Sequence, residues 1–399
     1  MFKDTKFSGK PIISQIINLL ERQKIYRTAV KHNSDRYCKK FMTIDHLITM
    51  LYAVLSGCNS LREVESIILA CRGRINHLGL RNFPKRSTLS DANKRRPSKI
   101  FEEIYNELYL KYRTHLPDSQ VKKEKIKELK IIDSTTISLF GDILKGAGRN
   151  KINGKKKGGI KVHTMISSND DVPVFVRFTS AATHDHSFLK HINLQPGSIA
   201  VFDRAYIDYD QFEYWTVNGV HFVTRLKKNA IYEKVEEYDI PDCADSGVII
   251  DEKIRLKKKD KTILLRKVGY WDDSGNRVFE FVTNNFEYSA EKIAEIYKRR
   301  WQIEVLFKRL KQNFPLKYFL GDSTNAIEIQ IWASLIAQLL LLVIHAQTKR
   351  KWSFSNLLSI IRFHLMTYIH LIKFLNNPDA DWNYLKTEAE NQLNLFNSS

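Results

Sequence analysis

The chain has few cysteines, and their arrangement excludes two common roles. Four occur in 399 residues, at Cys38, Cys58, Cys71 and Cys243, and no two of them form a CxxC pair. This pattern argues against a disulfide framework and against a zinc site built from paired cysteines, and it favours a reducing cytosol.

Long apolar segments are also scarce. Residues 1–4 are not followed by the apolar core of a secretory signal. The longest apolar stretch, residues 331–346, contains Ser334 and Gln338, and at that length it is too short to span a bilayer. We therefore expect a buried helix there, no membrane association and a cytoplasmic location.

Positive charge is what the chain has in excess. Lys and Arg number 64 against 44 Asp and Glu, which gives a net charge of +20, and 43% of the residues are hydrophobic. Such a chain can build two or three domains with real cores. The charge favours a polyanionic partner, because neutralising phosphates releases their counterions. An anionic membrane could attract the same charge, but no anchor is visible.

Residues 1–120 are predicted to be helical. Helix-like apolar spacing occurs in residues 12–20, 44–56 and 61–71. Residues 87–91 could cap a basic helix that contains Lys94, Arg95 and Arg96, and that Pro97 interrupts. The charge-rich residues 121–130 then link this region to the next one.

The pattern changes to α/β in residues 121–345. Predicted strands cover residues 131–133, 161–167, 172–179, 198–203 and 220–226, with a turn at residues 169–171 and a helix at 184–192. A β-rich insertion at about residues 227–286 contains further strands at 254–256, 262–268 and 277–283. A helical tail follows over residues 346–399.

Three acidic residues are candidates for chemistry. Asp133 and Asp203 each end an apolar strand, where a carboxylate is costly unless it is paired or liganded, although either could simply cap a turn. On a predicted helix over residues 290–312, Glu304 shares roughly 60° of surface with Tyr297, Arg300 and Lys311. That stripe could face a cleft, or it could be a solvated face with an i,i+4 pair between Arg300 and Glu304.

Three converging carboxylates would raise one another's pKa, and a divalent metal ion removes that conflict. Mg²⁺ prefers oxygen ligands and binds phosphate oxygens at the same time; Mn²⁺ could substitute. Two such ions can promote an in-line displacement at phosphorus without a covalent enzyme intermediate.

These residues resemble the motifs of bacterial insertion-sequence transposases of the DDE type, in the branch marked by a Tyr-Arg-Glu-Lys signature. The signature's spacing of two, three and six intervening residues is matched by Tyr297, Arg300, Glu304 and Lys311. Asp133 begins an Asp-Ser-Thr motif and Asp203 an Asp-Arg-Ala-Tyr motif, both similar to family motifs. The resemblance covers roughly residues 125–345, and residues 87–93 resemble part of the small leading domain of some members.

The resemblance implies an RNase H-like catalytic core with a β-rich insertion, preceded by a helical DNA-binding region and followed by the helical tail. It implies that Asp133, Asp203 and Glu304 are the catalytic residues and the ligands of Mg²⁺. The partners would be double-stranded DNA, as terminal inverted repeats and target, and a second protomer in a homodimeric synaptic complex. The reaction would be cut-and-paste transposition through a hairpin on the element end.

Further residues are candidates for DNA contact. They are Tyr297, Arg300 and Lys311 of the signature, Lys161 and His163 in a Lys-x-His pattern similar to that of family members, and Arg204 of the second Asp motif. For Lys161 and His163 a solvent-facing strand edge is an equal alternative. Two other functions stay open: an RNase H-like nuclease without strand transfer, and a non-catalytic DNA-binding protein derived from a transposase.

Overall fold

The computed structural model describes residues 9–71, 73–80, 82–116, 128–138, 151–152, 155–156, 159–168, 172–227, 229–240, 247–258 and 261–380. The chain forms two compact units. One contains residues 1–117 and 309–399, and the other contains residues 118–308. These units are defined by compactness and not by function. The predicted division into functional regions at residues 120 and 345 therefore stays a prediction.

The α-helices of the described residues fall in both units. In chain order they are α1 (Ile12–Ile17), α2 (Arg22–Lys31), α3 (Thr43–Ser56), α4 (Leu61–Ala70), α5 (Arg86–Arg95), α6 (Lys99–Tyr112), α7 (Tyr209–Val217), α8 (Ala290–Lys298), α9 (Trp301–Asn313), α10 (Thr324–Ala346), α11 (Phe354–Phe363) and α12 (Leu371–Asn376). The boundary between the two units falls within α9.

The core of the all-helical unit forms around α10, which packs against α3, α5, α6 and α11. The helix has 23 residues and is apolar enough to cross a membrane, but 94% of its most apolar window is buried. The predicted buried helix is therefore confirmed, and it extends beyond the apolar stretch of residues 331–346. Ser323 caps it by accepting a hydrogen bond from the Ala326 N–H, so the helix begins well before the apolar run.

The corner between α5 and α6 is held by buried polar groups of the same unit. The Asn325 side chain donates to the backbone carbonyls of Asn93 at 2.7 Å and of Arg96 at 2.8 Å. Pro97 follows at once and cannot continue the helix. The predicted cap at residues 87–91 was wrong, because α5 already begins at Arg86, after the extended Lys85.

The other unit is built on a nine-stranded sheet. The strands of the described residues are β1 (Leu129–Ser138), β2 (Lys151–Ile152), β3 (Lys155–Lys156), β4 (Gly159–Ser167), β5 (Pro173–Ser180), β6 (Ile199–Phe202), β7 (His221–Arg225), β8 (Tyr232–Glu237), β9 (Val248–Lys258), β10 (Lys261–Asp272) and β11 (Arg277–Thr283). Their order across the sheet is β5-β4-β1-β6-β7-β11-β10-β9-β8, while β2 pairs only with β3. This is a mixed α/β fold with a large sheet.

The centre of the sheet is parallel, and its middle strand β6 is fully buried. Strands β1, β6 and β7 are parallel neighbours, and the other pairings of the large sheet are antiparallel. Helix α7 connects β6 to β7 and covers one face with Phe212 and Trp215. Phe212 stacks on Phe222 of β7 with ring centroids 4.1 Å apart, and both contact Phe202 at the end of β6. This packing fixes the end of β6.

The predicted β-rich insertion is present, and it extends the central sheet through the pairing of β11 with β7. Its strands are longer than predicted, with β9 and β10 spanning eleven and twelve residues. Inside it, Arg266 donates to both oxygens of the buried Asp251 at 2.8 and 2.6 Å. Such a bidentate pair compensates two buried charges and sets the register of β9 against β10.

Two predicted helices differ from the structure. Residues 184–192 contain a 3₁₀ helix, Asp185–His191. The single helix predicted over residues 290–312 is two helices, α8 and α9, separated by Arg299 and Arg300. The hydrogen bonds from the N–H groups of Arg300, Gln302 and Ile303 all go to the carbonyl three residues earlier, and this tighter pattern breaks the α-helix.

Candidate active site

The strand pairing brings Asp133 and Asp203 together. Ile132 of β1 lies opposite Phe202 of β6 in parallel register, so the following residues, Asp133 and Asp203, lie side by side. Asp133 does not end its strand as predicted, because β4 continues to supply pairing partners as far as Ser138. Asp203 does follow the last residue of β6.

Each of these carboxylates uses one oxygen for a local backbone contact. The Ser134 N–H donates to Asp133 Oδ1 at 2.7 Å. The Ala205 N–H donates to Asp203 Oδ1 at 3.3 Å, so Asp203 caps the 3₁₀ helix Arg204–Tyr206. The turn-capping role considered from the sequence is thus real for Asp203. It leaves the second oxygen of each carboxylate for other contacts.

Arg300 joins Asp133 to Glu304. Its Nη1 donates to Asp133 Oδ2 at 3.0 Å, and its Nη2 donates to Glu304 Oε1 at 2.6 Å. The exposed fractions of the three side chains are 14% for Arg300, 18% for Asp133 and 34% for Glu304. The i,i+4 pair considered as an alternative is therefore present, and the same guanidinium also reaches across to β1. One cation holds two of the three predicted catalytic carboxylates.

The charges of Asp203 and Glu304 both act on Asp133. Together with burial, which is the largest cause, they raise the pKa of Asp133 to about 6. The Ser134 N–H and the Arg300 guanidinium lower this pKa without cancelling the other effects. The site therefore concentrates more negative charge than one arginine neutralises.

The donor set suits a divalent metal ion, because three carboxylates offer only hard oxygen ligands. Among the described residues, however, no three His, Cys, Asp or Glu side chains are grouped closely enough to hold an ion as they stand. The Arg300 guanidinium already occupies one oxygen of Asp133 and one of Glu304. The residues thus fit a metal ion by their chemistry, with Arg300 in competition for two of the ligands.

A cavity of about 940 Å³ opens beside Arg300 and Tyr297. Its lining combines aromatic and basic side chains, among them Arg225, Tyr270, Trp271, Arg277, Phe279, Tyr297, Lys298, Arg300 and Trp301. The guanidinium carbons of Arg225 and Arg277 lie 4.9 and 4.5 Å from the centroid of the Phe279 ring. Aromatic rings interleaved with cations are the surface that an unstacked nucleic-acid strand needs.

Two buried polar atoms next to this cavity have no hydrogen-bond partner among the described residues. They are Tyr297 Oη and Arg300 Nε. The Arg300 guanidinium lies 5.7 Å from the Tyr297 ring, so the two atoms belong to one local cluster. Burial raises the pKa of Tyr297. Buried polar groups normally find a partner, and a ligand in the cavity could provide it.

The predicted DNA contacts Lys161 and His163 take part in a network behind the carboxylates. His163 is fully buried and shares hydrogen bonds with Thr179 Oγ1 at 2.9 Å and Tyr206 Oη at 3.2 Å. Lys161 Nζ donates to the Thr183 carbonyl at 2.8 Å. The burial of His163 contradicts its predicted DNA contact, because β5 and the Phe188 ring cover this face of β4.

Asp185 is the residue of this network that the sequence did not single out as functional. Ser134 Oγ donates to Asp185 Oδ1 at 2.8 Å, and Lys161 Nζ lies 3.2 Å from the same oxygen. Since Ser134 directly follows Asp133, Asp185 anchors the segment of β1 that carries the carboxylate. The sequence placed Ser134 in the Asp-Ser-Thr motif and predicted no contact between Ser134 and Asp185.

The two remaining predicted DNA contacts are Arg204 and Lys311. Arg204 is half-buried beside Asp203 and, with Lys227 and Asn229, lines a second cavity of about 390 Å³. Lys311 lies on α9, seven residues after Glu304, in the unit formed by residues 1–117 and 309–399, and it is exposed. Tyr297, Arg300 and Glu304 are therefore the signature residues that lie in the same unit as Asp133 and Asp203.

Comparison with known proteins identifies the family of this chain. The family model described as "Transposase DDE domain" matches residues 124–340, which is more than half of the chain, and residues 8–81 match a domain of unknown function, DUF4372. The chain belongs to the DDE transposase family. It is an enzyme of that type, a bacterial insertion-sequence transposase with an additional N-terminal domain, and this family uses divalent metal ions.

Two relatives illustrate the similarity. The transposase-type protein y4zB of Sinorhizobium fredii is 33% identical over 266 residues, which cover 65% of this chain and 71% of that protein. The transposase assigned to insertion sequence element IS5377 of Geobacillus stearothermophilus is 30% identical over 239 residues, covering 59% of this chain and 61% of that protein.

A solved structure, the piggyBac transposase synaptic complex with hairpin DNA, aligns with 88% of this chain and 78% of its own chain. The TM-score is 0.41 and the sequence identity is 12%. Likeness at this level carries no argument about mechanism.

Proposed function

We propose that Asp133, Asp203 and Glu304 bind the catalytic metal ions and that the enzyme cuts transposon ends and joins them to target DNA. Mg²⁺ is the proposed ion, and Mn²⁺ could replace it. The observation that carries the proposal is the side-by-side placement of Asp133 and Asp203 on parallel strands, with Glu304 tied to Asp133 through Arg300. Two carboxylates on neighbouring strands and one on a later helix also support an RNase H-like core.

The residues of the chain would share the work as follows. Asp133, Asp203 and Glu304 would hold the metal ions, which supply charge stabilisation at phosphorus and an activated oxygen. The Asp185–Ser134 contact would keep Asp133 in place. Arg300 and Tyr297 would hold the DNA end, since an arginine fork pairs well with a phosphate.

The cavity lined by aromatic and basic side chains supports a further part of the proposal. Hydrolysis would free a 3′-hydroxyl, which would attack a phosphodiester of the opposite strand. The new P–O bond would close a hairpin on the element end, and the broken P–O bond would release the flanking DNA with a 3′-hydroxyl of its own. A strand that bends back in this way must unstack, and aromatic rings next to cations can receive the unstacked nucleotide. Lys311 and Arg204 would add phosphate contacts.

We also propose a function for each of the three regions of the chain. Residues 1–120 would bind DNA, residues 121–345 would form the catalytic domain with its insertion at about 227–286, and residues 346–399 would form a helical tail. The net charge of +20 supports double-stranded DNA as the partner, both as terminal inverted repeats and as target. Two ends require two active sites, so a homodimer would form the synaptic complex. The enzyme would act in the bacterial cytoplasm, at the nucleoid.

The test is cleavage of a labelled element end with Mg²⁺. Single changes of Asp133, Asp203 or Glu304 to Ala should abolish cleavage and joining, while DNA binding survives because phosphate contacts come mainly from Lys and Arg. Asp208→Asn is the matched control, since Asp208 caps α7 and Asn caps a helix equally well. Cleavage near the wild-type rate by any one triad variant would refute that assignment.

The same assay separates the alternatives. A nuclease without strand transfer would give cut ends and no joined product. A non-catalytic DNA-binding protein would give neither, with wild type and triad variants indistinguishable.

A further inference from the structure

We propose that Arg300 is a built-in counter-ion that competes with the metal ion for Asp133 and Glu304, and that a DNA phosphate releases the two carboxylates by taking the guanidinium. The inference rests on the proposed metal-binding function of the triad. It makes metal binding depend on DNA, so that the free protein binds metal weakly and the DNA-bound protein binds it well.

The geometry of Arg300 is the first support. The two terminal nitrogens of one guanidinium go to two different carboxylates, at 3.0 and 2.6 Å. Among the described residues, the Arg300 fork reaches Asp133 and Glu304, whereas Asp203 accepts its hydrogen bond from the Ala205 N–H. A metal ion that bridged the triad would need the same oxygens of Asp133 and Glu304, or would need those side chains to turn away from Arg300. Both routes break charge-assisted hydrogen bonds.

The electrostatics make a resident cation necessary. Three carboxylates without a cation repel one another, and burial weakens the screening by water. Arg300 is tethered to the site and always charged, so it neutralises part of this charge without any ion from solution. The side chain is only 14% exposed, which limits competition from water for its two contacts. In the free protein, Arg300 therefore compensates part of the charge of the site and occupies oxygens of Asp133 and Glu304.

The surroundings of Arg300 show what could draw it away. Its Nε and the Tyr297 Oη are buried without a hydrogen-bond partner among the described residues. Both residues line the cavity of about 940 Å³, which also exposes Arg225, Arg277 and Lys298. A phosphate in this cavity would meet several cations and could accept from the Arg300 fork. The carboxylates would then lose their counter-ion at the moment when a metal ion can also bind the phosphate oxygens.

The linkage has a thermodynamic consequence that can be measured. If DNA removes the competition between Arg300 and the metal ion, DNA raises the affinity for metal, and metal raises the affinity for DNA by the same factor. Each charge-assisted hydrogen bond contributes about 1.5–3 kcal/mol, so the factor is on the order of tenfold to a hundredfold.

The test titrates the full chain with Mn²⁺ in the absence of DNA and follows free Mn²⁺ by electron paramagnetic resonance. Arg300→Gln should bind Mn²⁺ about tenfold to a hundredfold more tightly than wild type. Lys190→Gln removes one positive charge from an exposed side chain of the same unit, outside this cavity, and should leave the affinity within about twofold, because surface charges are well screened. Arg300→Lys keeps the positive charge but lacks the two terminal nitrogens of the guanidinium. Its Mn²⁺ affinity should therefore fall between those of wild type and Arg300→Gln.

Adding a short duplex of an element end completes the test. Mn²⁺ affinity should rise in wild type and change little in Arg300→Gln. Equal or weaker binding by Arg300→Gln without DNA, in protein with the wild-type circular dichroism spectrum, would overturn the proposal. Equal gains for Arg300→Gln and Lys190→Gln would also overturn it, since general charge would then explain the effect.

Two more variants separate this inference from the proposed function. Asp133→Asn and Asp203→Asn, each combined with Arg300→Gln, should lose the tight Mn²⁺ site. If they keep it, the metal binds outside the triad and the proposed function fails with the inference. If they lose it while Arg300→Gln alone matches wild type, the triad binds metal and only the competition is wrong.

Discussion

Replacing Asp133 with asparagine should stabilise the metal-free protein at neutral pH while it abolishes cleavage. Asparagine has nearly the same shape and keeps an acceptor for the Ser134 N–H, which donates to Asp133 at 2.7 Å. The substitution removes a negative charge whose burial destabilises the folded state. Burial raises the pKa of Asp133 to about 6, and the negative charges of Asp203 and Glu304 contribute in the same direction.

The sign and size of the expected change in unfolding free energy follow from this pKa. A carboxyl whose pKa is higher in the folded state holds its proton more tightly there, so the folded state loses relative stability as the pH rises from the ordinary 3.8 through about 6. Above that window the full difference corresponds to about 3 kcal/mol of unfolding free energy. We expect about 1–2 kcal/mol of stabilisation for Asp133→Asn, because Arg300 loses one of its two charged partners.

The assay is urea unfolding in EDTA at pH 7.5 and at pH 4. The gain in unfolding free energy should be present at pH 7.5 and nearly absent at pH 4, where the wild-type carboxyl is protonated. Asp251→Asn is the contrasting control, since Asp251 is a buried carboxylate with both oxygens bound by Arg266. That change should cost about 3–5 kcal/mol at pH 7.5, because it leaves a buried arginine without its charge partner.

A loss of stability for Asp133→Asn at pH 7.5 would refute the reasoning, because it would show that the pair with Arg300 stabilises more than the burial of Asp133 costs. Millimolar Mg²⁺ provides an independent check. It should raise the unfolding free energy of wild type and leave that of Asp133→Asn nearly unchanged, since a ligand stabilises the state that binds it.

Two further predictions concern the residues around the triad. Asp185→Ala should lower the unfolding free energy by about 2–4 kcal/mol in urea, because Ser134 and the cation of Lys161 lose their shared acceptor; a loss below about 0.5 kcal/mol would mean that this network does not support β1. Arg300→Ala should slow hairpin formation and joining more than first-strand nicking, measured by timing the products on a labelled element end. Equal slowing of all steps would assign Arg300 to helix structure or overall binding instead.

The sequence alone was sufficient to identify the family, and it named three carboxylates, two of which the structure joins through Arg300. Metal-assisted chemistry depends on residue types, and the spacing of Tyr297, Arg300, Glu304 and Lys311 along the chain can be read without coordinates. The α/β core, the β-rich insertion and the helices α3 and α4 also followed from local apolar periodicity, which is set by backbone geometry. The predicted ends of helices and strands were less accurate, since caps and pairing partners decide where an element ends.

The tertiary structure decided what depends on residues distant in sequence. That Arg300 binds Asp133, 167 residues away, could not be inferred from a helix surface, because the partner comes from another strand. The burial of His163 depends on β5 and on the ring of Phe188, and the break between α8 and α9 depends on backbone bonds that no propensity scale contains. Local patterns thus predicted the chemistry, whereas packing decided which charges meet.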